Sequence, residues 1–243
     1  KSYAQKYDLR SLSFGKSAHA DVRLVGLTPQ EKGMTVTFAL QDTILSYTLN
    51  AHGDHMAETT LGVMAALHGM GLEVSSLLPF MESFYPLKGR GYIHTLPWQS
   101  SFITIMDESY NAGPASMEAA IKAFSRMPLT KNARRWVVLG DMLELGHGAK
   151  KAHEDLLYSL LEANISGTFL HGTFMNHLND ILPASLKRGH FKDLTHLTQA
   201  LCDHLQAEDA VLIKGSRGQR AFEGHLAQVI QLLHDYCHTK KYI

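Results

Sequence analysis

Apolar and polar residues alternate in Met34-Thr-Val-Thr-Phe38 and again in Leu45-Ser-Tyr-Thr-Leu49. A period of two turns one side of a strand to a core and the other to water, so both read as half-buried antiparallel strands. With Leu12-Ser-Phe14 and Val22-Arg-Leu-Val25, residues 1–50 read as short β segments joined by polar turns. Residues 55–71 predict a helix that ends at Gly71, and 73–83 predict a second that stops before Pro86. Lys88-Gly89-Arg90-Gly91 then reads as a hinge, because two glycines free the backbone.

Beyond it the pattern changes to strand, polar loop, helix, repeated. Strands are expected near 102–106, 136–140, 167–171 and 210–214, and helices near 114–126, 149–163, 196–206 and 219–235. Such alternation favours an α/β domain whose mostly parallel sheet carries helices on both faces. The boundary is placed at residue 88, giving units 1–88 and 89–243.

Three of the polar loops carry chemistry. Asp107-Glu108-Ser109-Tyr110-Asn111-Ala112-Gly113-Pro114 follows the apolar run Ser101-Phe-Ile-Thr-Ile-Met106 and precedes a strong helix former. Asp141-Met-Leu-Glu144-Leu-Gly146 follows Val137-Val-Leu-Gly140, and Lys214-Gly215-Ser216-Arg217 closes Val211-Leu-Ile. In open α/β sheets the carboxyl ends of strands are where ligands bind. The same residue types also cap helices, and Pro114 suits a first helical turn.

Composition narrows the field. Lys plus Arg and Asp plus Glu are both 23, so net charge is zero with histidine neutral. That argues against general affinity for nucleic acid or an anionic membrane. Two cysteines, Cys202 and Cys237, without metal-ligand spacing fit a reducing cytoplasm. No apolar run is long enough for membrane insertion, and Lys1-Ser-Tyr-Ala-Gln-Lys6 lacks the apolar region of a signal peptide. The start without methionine is as expected of a fragment or a processed terminus. The 15 histidines scatter and imply no metal site.

Phosphate cradles are not evident. Gly15-Lys16-Ser17 mimics the end of a Walker A motif, but position 10 is Arg10 where that motif needs glycine. Gly89-Arg-Gly91 is followed by His94 where a dinucleotide fingerprint needs its third glycine.

Taken together and in order, the three loops resemble the signatures of the Mur ligases: D-[DE]-S-Y-N-A-N-P, G-D-M-x-E-L-G and K-G-S-R. The resemblance is strongest to the branch that adds D-alanyl-D-alanine to UDP-N-acetylmuramoyl-tripeptide, and it covers only the second half of such an enzyme. It implies that residues 1–88 are the end of a central ATPase domain and 89–243 a Rossmann-like C-terminal domain. It implies ATP and Mg2+ as cofactors, with the P-loop and metal ligands upstream of this sequence, and a cytoplasmic role in peptidoglycan synthesis. It assigns Arg90 to the ATP phosphates, Asp107 to the ribose hydroxyls, and Tyr110 and Asn111 to the nucleotide-facing surface. Lys214, Ser216 and Arg217 are placed near the peptide and the incoming amine, Lys214 with Arg90 as catalytic groups, and Asp141 with Glu144 beside them. Gly113 stands where the family has asparagine. Gly53-Asp54-His55-Met56-Ala57-Glu58-Thr59 resembles the family's G-x-H-N-x-x-N; His55 is kept as a nucleotide contact, but Met56 and Thr59 replace both asparagines, and an ordinary helix start explains the segment equally well. Folylpolyglutamate-type ligases share the fold, and a non-catalytic binding module on it remains an alternative.

Overall fold

In a computed structural model the chain forms two compact units, Lys1–Tyr85 and Pro86–Ile243. The structure describes residues 6–9, 11–217 and 225–240. Part of the helix expected at 219–235 therefore falls outside the described residues.

In the first unit, strands β1 (Phe14–Gly15), β2 (Val22–Gln30), β3 (Gly33–Leu40) and β4 (Thr43–Leu49) form a sheet in that order. β2, β3 and β4 are antiparallel neighbours, whereas β1 runs parallel to β2. The alternation along β3 and β4 buries Val36, Phe38, Tyr47 and Leu49 against α1 (Asp54–Gly69), which contributes Leu61 and Met64. The segment expected as one helix at 73–83 divides into a short α2 (Val74–Leu77) and a 3-10 turn, Leu78–Ser83, with Pro79 at the start of the turn. Proline at the start of a helical turn lacks only an N–H that would be unpaired there anyway.

The second unit is a six-stranded sheet in the order β5-β6-β10-β7-β8-β9. Its strands are β5 (Tyr92–Trp98), β6 (Ser101–Glu108), β7 (Arg135–Gly140), β8 (Gly167–His171), β9 (Lys187–Phe191) and β10 (Ala210–Lys214). β5 is antiparallel to β6, and every other pairing is parallel. Buried parallel strands need apolar side chains on both faces, and Val137, Val138 and Leu139 are each fully buried. Val137 and Leu139 meet α3 (Pro114–Arg126), α4 (Ala149–Glu162) and α5 (Met175–Ile181) through Ile121, Leu160 and Leu178. Trp136 and Val138 face α6 (Leu194–His204) and α7 (Ala227–Lys240) through Leu201 and Val229.

β10 is laid down last but sits between β6 and β7. The helices after β6 and β7 lie on one face and the helix after β10 on the other. This is a topological switch point, and it gathers the ends of the three motif-bearing strands side by side. At the opposite edge, buried Asp209 accepts hydrogen bonds from Arg134, Trp136 Nε1 (2.9 Å) and the Gln206 N–H (2.9 Å), which closes that end.

Candidate functional site

The three loops expected to carry chemistry meet at the carboxyl edge, and hydrogen bonds to their backbone join them. Ser216 is the junction. Its N–H donates to Asp141 O (2.9 Å), its hydroxyl donates to Ala112 O (3.1 Å), and its Oγ accepts from the Leu143 N–H (3.1 Å). One serine thus holds a residue from each of the other two loops. Gly215 makes the approach possible: a Cβ there would stand 3.0 Å from the Gly140 Cα.

Lys214 was expected to stand beside Ser216 as a second cation facing a ligand. Instead it is 2% exposed. Its Nζ donates to Asn111 O (2.9 Å) and pairs with Glu108 Oε2 at 3.5 Å. Burial pushes its pKa down, opposed by Glu108, and burial pushes Glu108 up, opposed by Lys214. The cause of the difference is register: Lys214 pairs with Glu108 inside the sheet rather than leading the loop. It fastens β10 to the 109–113 turn.

Asp107 also departs from expectation. A carboxylate projecting freely from the sheet edge would suit a ribose diol, but this one is 3% exposed and engaged on both oxygens. Oδ1 accepts from the Ser109 N–H (3.1 Å) and Oγ–H (2.6 Å); Oδ2 accepts from the Gly89 N–H (2.8 Å) and lies 3.4 Å from His94 Nε2. Burial alone would raise this carboxyl, but the bonds from His94, Ser109 and Gly89 outweigh it and hold it below the ordinary aspartate value. Nor does Asp107 cap α3. There the Gly113 N–H donates to Ser116 Oγ (3.0 Å), while Asn111 Oδ1 accepts from the Ala112 N–H (2.8 Å).

The segment read as a hinge is stitched to the end of β6. Besides the Gly89–Asp107 bond, the Gly91 N–H donates to Asp107 O (2.8 Å) and the Tyr110 N–H to Gly89 O (3.0 Å). Gly89 has φ +82° and a Cβ there would lie 2.9 Å from the Tyr110 Cβ, so only glycine fits this turn. The result is an exposed Arg90 whose guanidinium lies 4.0 Å from the centroid of the Tyr110 ring, with Arg217 5.9 Å from the same ring.

Beside the Tyr110 ring opens a cleft of about 980 Å³ between the 88–96 segment, β6 and α7, lined by Lys88, His94, Asp107, Tyr110, Arg217 and His234 among others. Arg90 and Asn111 are exposed beside it. Burial and then Arg217 push His225, another lining residue, toward its neutral form.

Asp141 faces the neighbouring helix. Its Oδ1 accepts from the Met175 N–H (2.8 Å) at the start of α5. Glu144 is exposed with φ +64°. Sequence reasoning missed two positioning histidines. His94 comes from β5, an unexpected strand. His153 is fully buried: its Nε2 accepts from the Met142 N–H (2.9 Å) and its Nδ1 lies 2.6 Å from Ala149 O. Its position on the buried face of an amphipathic helix was the available signal.

His55 lies in the other unit, in the first turn of α1, and Thr59 Oγ1 donates to its carbonyl (2.9 Å). Lys16, in the Walker-like turn, is bound to Asp54 (3.0 Å) and Glu58 (2.8 Å), which agrees with an ordinary surface turn. Neither Cys202 nor Cys237 forms a disulfide. Among the described residues no group of three or more His, Cys, Asp or Glu is arranged to hold a metal ion, and no helix is long and apolar enough to cross a membrane.

Residues 98–217 match the family model of the Mur ligase glutamate ligase domain, a span that contains all three loops. The similarity is thus to the C-terminal domain of the Mur ligases. It is 27% identical over 206 residues to the UDP-N-acetylmuramoyl-tripeptide–D-alanyl-D-alanine ligase of Rickettsia prowazekii (strain Madrid E), covering 85% of this chain and 44% of that protein. Against the enzyme of the same name from Bacillus subtilis (strain 168) it is 24% identical, covering 89% and 47%. The fold is that of the MurF ligase from Thermotoga maritima solved in complex with ADP, with a TM-score of 0.79 at 20% identity over 99% of this chain and 52% of that one. The UDP-N-acetylmuramate–alanine ligase MurC of Thermotoga maritima shares it as well, at a TM-score of 0.73 and 13% identity, over 96% of this chain and 49% of that one. The chain spans about half the length of the curated relatives it matches.

Proposed function

We propose that this chain supplies the C-terminal domain, and the end of the central domain, of an ATP-dependent ligase that joins D-alanyl-D-alanine to UDP-N-acetylmuramoyl-tripeptide in peptidoglycan precursor synthesis. One observation carries the reading. The three Mur-like loops converge on Ser216 at a switch point, within a domain whose full-length relatives bear that activity in their names.

A carboxylate is a poor acyl donor because oxide is a poor leaving group. Transfer of a phosphoryl group to it from ATP gives an acyl phosphate, which the dipeptide amine attacks with loss of phosphate. The protein's part is positioning and charge stabilisation. Arg90 is the group for the phosphates, since a guanidinium binds phosphate oxygens bidentately. Tyr110 and Asn111, both exposed, face the nucleotide, and Arg217 faces the peptide side. Lys214, Ser216, Asp107 and Asp141 act through the loops they hold. Magnesium accompanying ATP is bound outside the described residues, and the enzyme works in the cytoplasm.

The test is phosphate release by the full-length protein that contains this chain. Release is expected only with ATP, the UDP-linked tripeptide and D-alanyl-D-alanine together; release supported instead by a single amino acid as amine would overturn the substrate assignment. The 243-residue chain alone is expected to be inactive. Turnover by it at about 1 per second or faster would refute that part.

A further inference from the structure

Arg90 and Arg217 come from segments far apart in sequence and would ordinarily be assigned to different ligands. In the structure they share one aromatic ring. The guanidinium carbon of Arg90 lies 4.0 Å from the Tyr110 centroid and that of Arg217 lies 5.9 Å from it, both within cation–π range. Tyr110 is itself fixed from behind, by its N–H on Gly89 O (3.0 Å) and by the tight packing of Gly89 against its Cβ. Two cations mounted on one ring offer donors to an anion set against both, although Glu108 acts electrostatically on Arg90 and offsets part of its charge. Lys88 lines the adjoining cleft with Tyr110 and Arg217, where Asp107 lies as well.

We propose that Arg90 and Arg217 are two jaws of a single oxyanion clamp, and that Tyr110 is the positioning residue on which both are mounted. The clamped group is a phosphoryl oxyanion. Both arginines then serve one object, the phosphoryl in transit between nucleotide and peptide carboxylate. In that step the bond from the γ-phosphorus to its bridging oxygen breaks, its electron pair leaving on the diphosphate. A bond from the substrate carboxylate oxygen to phosphorus forms, and no proton moves. A planar five-donor guanidinium matches these oxygens as a lysine ammonium does not. The assignment of the phosphoryl to this step rests on the ligase reading above; the clamp itself rests on the geometry.

Two measurements separate the two ideas. The purified chain is titrated calorimetrically with inorganic pyrophosphate. Binding is expected to weaken about three- to thirty-fold in Tyr110→Leu and similarly in Arg90→Gln and Arg217→Gln, while Tyr110→Phe, which keeps the ring, stays within about two-fold. Arg217 is exposed, so Arg217→Gln tests the second jaw without threatening the fold. Pyrophosphate binding that is absent, or indifferent to Arg217→Gln and Tyr110→Leu, overturns the clamp. In the full-length ligase, Tyr110→Leu and Arg217→Gln are each expected to lower kcat with little change in the KM for ATP, and the double variant to lose less than the product of the two. Independent, multiplying effects would overturn the shared mounting. Clamp behaviour with pyrophosphate but no ligase activity in the wild-type full-length enzyme would sink the ligase reading and leave the clamp standing.

Discussion

Two lysines in this molecule stand beside a glycine and close to a serine: Lys16 in Gly15-Lys16-Ser17 and Lys214 in Lys214-Gly215-Ser216. Lys16 is paired with two carboxylates and Lys214 with one, yet the settings are opposite. The Lys16 side chain is 53% exposed, with Asp54 and Glu58 reaching it from the first turns of α1. The Lys214 side chain is 3% exposed against Glu108. Hydrogen bonds that Lys16 donates to Glu58 and then Asp54 raise its pKa, whereas burial lowers that of Lys214 despite its partner. Water competes for the first lysine and has been excluded from the second. A short motif names the functional groups, and burial decides whether they bind a ligand, decorate a surface or fasten the fold.

The comparison predicts its largest effect at Lys214. Lys214→Met leaves the half-buried Glu108 without its cation and Asn111 O without its donor, a change expected to cost about 3–5 kcal/mol. Both tryptophans, Trp98 and Trp136, lie in the Pro86–Ile243 unit, so urea unfolding followed by tryptophan fluorescence reads that unit alone. Adding Glu108→Gln to Lys214→Met is expected to recover part of the loss, because the orphaned charge is removed. A single-variant cost below about 1 kcal/mol would place Lys214 with surface lysines and collapse the contrast.

The next effect is at Asp107, the carboxylate that organises the 88–91 segment. Asp107→Ala strands the N–H groups of Gly89 and Ser109 and is expected to cost about 2–4 kcal/mol. The sign of its pH dependence follows from the lowered carboxyl pKa in the folded state. Stability from a depressed acid is present above the unfolded value, about 3.9 for aspartate, and is lost as pH falls through the folded value. The gap between wild type and Asp107→Asn should therefore be constant from neutral pH down to about 5 and close below about 4. A gap that does not narrow at all as pH falls below about 4 would show that the ionised carboxylate is not what matters.

How much of this could be read from the sequence depended on burial in the same way. Strands β6, β7, β8 and β10 announced themselves because central parallel strands are apolar on both faces, and β3 and β4 because their outer faces are wet. β5 and β9 went unread. Both lie at sheet edges, where polar residues and proline are tolerated: β5 holds His94 and Pro97, and β9 reads Lys-Arg-Gly-His-Phe. The seven residues of α5 are too few to show a helical period. The boundary expected at 88 falls at Tyr85/Pro86 because the glycine segment belongs to the sheet edge it wraps. The three loops were legible as candidates, and their convergence was not, because nothing local in Val211–Lys214 says that β10 inserts between β6 and β7. With β5 unread, His94 was unavailable as a partner, and Asp107 looked free when it is saturated.

The smallest effect is expected at Lys16, and it closes the comparison from the other side. Exposed ion pairs contribute about 0.2–1 kcal/mol, and less in salt. Lys16→Ala should shift the thermal unfolding of the chain, followed by far-UV circular dichroism, by no more than about a degree or two. Raising ionic strength to about 0.5 M should erase most of the difference, because the Debye length then falls well below its value near 10 Å at 0.1 M. The functional arm matters more. If Gly15-Lys16-Ser17 held nucleotide phosphates, removing the ammonium would weaken ATP binding by the full-length protein about ten-fold or more. The salt bridges to Asp54 and Glu58 instead give Lys16 a complete surface role, so ATP affinity in Lys16→Ala should match wild type. A ten-fold loss of ATP affinity would mean that Lys16 leaves its carboxylates for a phosphate, and that exposure, not burial, is what keeps a lysine available for function in this fold.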